Sequence, residues 1–117
     1  MVQVGIAVRT VFFANISGSE PVRVWLKTKR RKDSKEIGED IKAVADGWPV
    51  GPPLCESVTG RKGLWEVQSN LSGGRIARVY FKIHNGNMVL LHGIDKKMQK
   101  APKAALDLAA SRGKEVK

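Results

Sequence analysis

Apolar and polar positions change rhythm along this chain, and each change marks an element. Residues 2–13 are dense in valine and phenylalanine and predict a first strand. Ser19-Glu20-Pro21 then predicts a helix start, with serine as cap, an acid in the first turn and proline near the first helical position. This short helix runs through Trp25 and Leu26, and Lys27 to Lys32 form a basic knuckle before the next one. Asp33 with Glu36 three residues on matches a capping box. Ile37, Ile41, Val44 and Ala45 follow at helical spacing as one buried stripe, Gly47 stops the helix, and Pro49 lies just beyond. A loop runs through Gly51-Pro52-Pro53.

The period then shortens to two. Leu64–Ser69, Ile76–His84 and Met88–Ile94 are strand candidates, joined by the Gly-containing connectors 70–74 and 85–87. Connectors this short favour consecutive antiparallel hairpins. Pro102 opens a last helix that ends near Arg112-Gly113; its stripe of Ala105, Leu108 and Ala109 is weak and predicts a helix that lies loosely on the surface or rearranges with a partner. The order of strand, two helices, three-strand meander and helix gives an α+β class, an antiparallel-rich four-stranded sheet with helices on one face. With 117 residues, a single domain over 1–117 is expected.

Charge narrows the partner. Residues 1–59 carry +2 and residues 60–117 carry +8 of the formal +10, an excess that favours a polyanion over a general solubility charge. No apolar run approaches the ~20 residues of a membrane span, and the apolar start lacks the basic lead-in of a signal peptide. The single cysteine, Cys55, fits a reducing compartment, so a cytoplasmic location with no membrane partner is expected.

Alternation in Ile76–His84 sends Ala77, Val79, Phe81 and Ile83 to the core and Arg78, Tyr80, Lys82 and His84 to the opposite face. That second set predicts an open, basic face suited to phosphates and stacked bases, weighed against an ordinary solvated sheet face. On the neighbouring strand Glu66 is either a base or the ion-pair partner of Arg78, the commoner fate of such a carboxylate. Metal ligands are missing: His84 and His92 stand eight apart, with one cysteine and no acidic cluster to join them, and His92 reads as structural. No phosphate loop is present and nothing calls for a cofactor. Metal-free RNA cleavage fits what remains, since RNA carries its own nucleophile and needs orientation, charge stabilisation and proton transfer.

An ordered set of segments then carries a resemblance: Val8-Arg9-Thr10-Val11-Phe12-Phe13, Glu20-Pro21-Val22-Arg23, Ile37-Gly38-Glu39-Asp40-Ile41-Lys42, Gly47-Trp48-Pro49, Gly63-Leu64-Trp65-Glu66-Val67, Gly74-Arg75-Ile76-Ala77-Arg78-Val79 and Leu90-Leu91-His92-Gly93 running into Lys96-Lys97-Met98-Gln99-Lys100. Together they resemble the phage-derived Gp49-like branch of the RelE/HigB toxins. The resemblance implies a RelE-like fold and the toxin half of a type II toxin–antitoxin pair, cutting messenger RNA in the ribosomal A site. It implies a helix-turn-helix, HigA-like antitoxin, and operator DNA met only through that antitoxin. Arg78 matches the strand arginine that stabilises the scissile phosphate, and Lys97 the basic position after the last strand; both are catalytic candidates. Lys96, Gln99 and Lys100 carry over as substrate contacts, while Arg61, Lys62 and Arg75 are candidates from charge and position alone. This chain departs from the branch at Gln68, where an arginine is usual, and at Glu66 and Gln68, where RelE has lysines. Gln68 can orient an oxygen but cannot neutralise a phosphate, which leaves a weakened or inactive RNA-binding module as the rival reading. Tyr80 is the one tyrosine available to stack on a base.

Overall fold

A computed structural model describes residues 7–96 and 101–116, apart from the side chain of Lys96. The chain runs β1 (Arg9–Phe12), α1 (Pro21–Lys27), α2 (Arg31–Gly47), β2 (Cys55–Ser57), β3 (Trp65–Asn70), β4 (Ile76–His84), β5 (Asn87–Lys96) and α3 (Lys103–Glu115). It is α+β as expected, but the sheet has five strands and is mixed. Its order is β1-β5-β4-β3-β2, with β1 parallel to β5 and the other pairs antiparallel. The expected four-strand sheet omitted β2, whose three residues bury only Cys55 and begin one residue after Pro52-Pro53. The meander stands as read, and β4 has the bounds its alternation gave.

Both faces of the sheet are covered, which corrects the one-faced expectation. On one face Ala77, Val79, Phe81, Met88 and Leu90 pack with Val22 of α1 and with Ile37, Ile41, Val44 and Ala45 of α2. On the other, Tyr80, Val89, Leu91, Phe13 and Leu64 pack with Ala105 and Ala109 of α3. α3 is therefore seated rather than loose. Its buried positions are Ala105, Ala109 and Gly113, small residues that let the helix backbone approach the sheet, whereas Leu108 points outward. Arg61, in the loop before β3, pairs with Asp107 of α3 and fastens it from the side.

Two expected helix starts differ. Glu20, not Ser19, is the cap residue of α1, and its carboxylate accepts from Arg23 Nε at 2.7 Å rather than capping the backbone. α2 begins at Arg31, so Asp33 lies inside its first turn and no capping box forms. Asp33 is instead buried, accepting from Arg75 Nη2 at 2.7 Å, and Arg75 Nη1 donates to Asp95 of β5 at 2.6 Å. The Arg75 guanidinium holds the Asp33 carboxyl below the usual range. A tertiary ion pair stands where the local capping box was expected.

Candidate functional site

The α3 side of the sheet gathers the polar residues that matter. Register places Gln68 opposite Arg78 and Glu66 opposite Tyr80. Because successive side chains alternate, Glu66, Gln68, Arg78 and Tyr80 share one face. Arg78 Nη1 lies 3.5 Å from Glu66 Oε1, and the same oxygen accepts from Gln68 Nε2 at 2.7 Å. Arg78 keeps 5% of its surface exposed and Glu66 8%. Pairing, the commoner of the two fates expected for Glu66, is what the structure holds.

Arg78, Glu66 and Gln68 form the polar wall of a cleft of about 270 Å³. Glu56, Ser57 and Thr59 close it from β2 and the loop that follows, and Ala101 and Leu106 from the side of α3. Sequence reading missed Glu56, Ser57 and Thr59, because the strand that brings them there was itself missed. Their signal was faint: polar residues beside a single buried cysteine. The arrangement offers a guanidinium for an anionic oxygen, a carboxylate to take a proton, and an amide and hydroxyls to orient oxygens.

Other candidates fall elsewhere. Tyr80 is fully buried beneath α3, its ring stacked on His92 with centroids 6.4 Å apart, so the face expected to be open does not offer it to a base. Burial and the Glu66 charge push its phenol well above the ordinary value. The Tyr80 hydroxyl has no hydrogen bond of good geometry among the described residues. Tyr80→Phe should therefore leave thermal stability equal or slightly higher, since an unsatisfied buried hydroxyl costs ~1–3 kcal/mol. A calorimetric melt checks this, and a clear drop would contradict it.

Arg75 serves the opposite face, tied to Asp33 and Asp95, and is not brought to the Arg78 cleft. Arg61 and Lys62 line a separate cleft with Lys82 and Lys114. Lys96 ends β5, while Lys97, Gln99 and Lys100 lie outside the described residues. His92 is structural as expected: its Nδ1 accepts from Arg112 at 3.2 Å, and burial with the nearby guanidinium lowers its pKa. Cys55 is buried, and desolvation beside Glu66 and Glu56 pushes its thiol up to about 11, which disarms it as a nucleophile. Among the described residues no cluster of histidine, cysteine and acid could hold a metal ion, and no helix is long and apolar enough to cross a membrane.

Residues 24–114 match the sequence model of the family described as phage-derived protein Gp49-like. The chain belongs to the Gp49-like family. This Gp49-like chain is thereby of the RelE/HigB toxin type, and membership implies an antitoxin partner. Neither the curated proteins nor the solved structures give a match. The family match runs from within α1 to the last turn of α3 and so contains every residue of the Gp49-like cleft described above.

Proposed function

We propose that this protein is a metal-independent endoribonuclease that cuts messenger RNA in the ribosomal A site as the toxin of a type II pair. The observation that carries the reading is Arg78 held with Glu66 and Gln68 in the wall of a cleft, in a chain whose second half holds most of a +10 charge. In the reaction, the RNA 2′-oxygen forms a bond to the adjacent phosphorus as the bond to the 5′-oxygen breaks. A 2′,3′-cyclic phosphate and a 5′-hydroxyl result. Arg78 balances the added negative charge on the phosphoryl oxygens. In this reading Glu66 takes the 2′-hydroxyl proton. Lys97, the family's basic position after the last strand, supplies charge or a proton to the leaving oxygen. A HigA-like helix-turn-helix antitoxin would neutralise the protein and carry it to operator DNA.

The second reading, an attenuated RNA- or ribosome-binding module of the same family, is favoured by one observation. Gln68 stands directly opposite Arg78 and brings no charge to the cleft. Inducing the chain in a bacterium separates the two: the nuclease arrests growth and leaves messages ending in cyclic phosphate, while the binding module leaves messages intact. Gln68→Arg adds a second guanidinium beside Glu66 and should raise the cleavage rate roughly tenfold or more, within the range of a single charged donor. A rate unchanged by Gln68→Arg would show that the uncharged residue had not limited activity.

A further inference from the structure

On the same face of β4 as Arg78, four residues further on, Lys82 enters a second cleft of about 310 Å³. At ~3.3 Å per residue the two lie about 13 Å apart along the strand. Arg61 and Lys62 line this cleft from the β2–β3 loop, and Lys114 from the end of α3. Its floor is apolar, with Leu64, Leu91 and Ala110. Two of the four cations are fixed: Arg61 by Asp107, and Lys82 by donating to the Gly113 carbonyl at 3.0 Å. Lys62 and Lys114 are exposed and join no ion pair among the described residues.

The end of α3 faces this cleft with its carbonyls, a partial negative charge that by itself repels anions. Lys82 occupies that end, and Arg112 and Lys114 add positive charge to the last turn. Four cations converge on a concave, partly apolar surface, and among the described residues Arg61 alone of the four is in an ion pair, with Asp107. Solvated surface lysines do not require a cleft. A backbone phosphate does fit one, with the apolar floor left for the sugar or base attached to it.

We infer that this cleft is a second phosphate subsite, which holds the RNA strand beyond the scissile position through Lys62, Lys114, Lys82 and Arg61. The inference rests on the reading of the protein as an RNA binder. The β2–β3 loop borders both clefts, with Thr59 at one and Lys62 at the other, so one strand laid along that loop reaches both. The Arg78 cleft performs the chemistry; the second cleft supplies affinity and register.

The test uses the full chain and a 2′-O-methyl RNA oligonucleotide, which cannot be cut because its nucleophile is blocked. Binding is measured against salt for the native protein and for Lys62→Gln/Lys114→Gln, two exposed positions whose replacement a melting curve should show to be harmless to the fold. Loss of one phosphate contact should flatten the slope of log K against log salt by about 0.7 and weaken binding several-fold at low salt. With ribosome-bound message as the cleavable substrate, KM should rise several-fold and kcat stay level. An oligonucleotide too short to leave the Arg78 cleft should bind both proteins equally. An unchanged slope and KM would overturn the subsite, as would an equal loss with the short oligonucleotide. Inorganic phosphate binding at the cleft, with oligonucleotide binding insensitive to the substitutions, would also overturn it. If neither protein cuts ribosome-bound message yet the slope flattens, the nuclease reading fails and the subsite stands. If Arg78→Lys abolishes cutting while the slope never moves, the reverse holds.

Discussion

Arg78→Lys is expected to reduce cleavage by about two to three orders of magnitude, the cost of removing one donor that stabilises charge in the transition state. Lysine keeps a positive charge beside Glu66 but loses the planar fork that can reach a carboxylate and a phosphate oxygen together. It is a better probe than alanine for a physical reason. Arg78 and Glu66 are both nearly buried and lie 3.5 Å apart, so Arg78→Ala would leave a carboxylate without that partner in a poorly hydrated place. Breaking a buried pair in this way costs roughly 3–5 kcal/mol, enough to lower activity by unfolding alone. The lysine variant should melt close to the native protein and yet lose kcat. If Arg78→Lys cuts at the native rate, Arg78 is a structural cation and the phosphate lies elsewhere.

The second large effect concerns stability. A Cβ on Gly93 would fall 2.5 Å from Trp25 Cε3 and 2.6 Å from Cζ3, inside the indole ring of α1. Here the backbone of β5 serves as a flat seat for the ring, and a ring cannot yield as the tip of a flexible chain can. Gly93→Ala must therefore push α1 away from the sheet. Overpacking of this kind costs ~1–3 kcal/mol, which corresponds to a fall in Tm on the order of 10 °C for a chain of this size. Trp25→Leu introduced alongside should recover part of the loss by making room, and a thermal melt of the three proteins measures both effects. A Gly93→Ala protein as stable as the native one would mean that α1 does not bear on β5 as described.

What could be read in the sequence followed the strength of local periodicity. Ile37, Ile41, Val44 and Ala45 announce α2 because each repeat adds another apolar contact on one face, and all four are buried. β4 was legible for the same reason, with the eight residues from Ala77 to His84 in alternation. β2 carries one buried side chain and no period to detect. α3 looked weak because alanine and glycine score as poor core residues. Small size is what seats them against Tyr80 and Leu91, and that fit depends on the partner surface.

The site was legible by residue type and face, and illegible by exposure. Alternation put Arg78, Tyr80 and Lys82 on one side of β4, but it could not show that α3 would cover Tyr80 and divide that side into two clefts. Nor could charge alone sort the arginines. Arg75 is spent on Asp33, 42 residues away, and on Asp95. Arg61 is spent on Asp107. Lys62 and Lys114 are not in any ion pair among the described residues. Such pairings are made by the assembled fold, and a capping-box pattern such as Asp33 with Glu36 loses to them when a half-buried guanidinium is in reach.

The most direct test of the central claim is to add the purified protein to a reconstituted translation reaction and map the ends of the message. The nuclease account predicts new in-frame breaks on ribosome-bound messages, each with a 2′,3′-cyclic phosphate upstream and a 5′-hydroxyl downstream, and their loss with Arg78→Lys. Intact messages in the presence of folded, RNA-bound protein would contradict it.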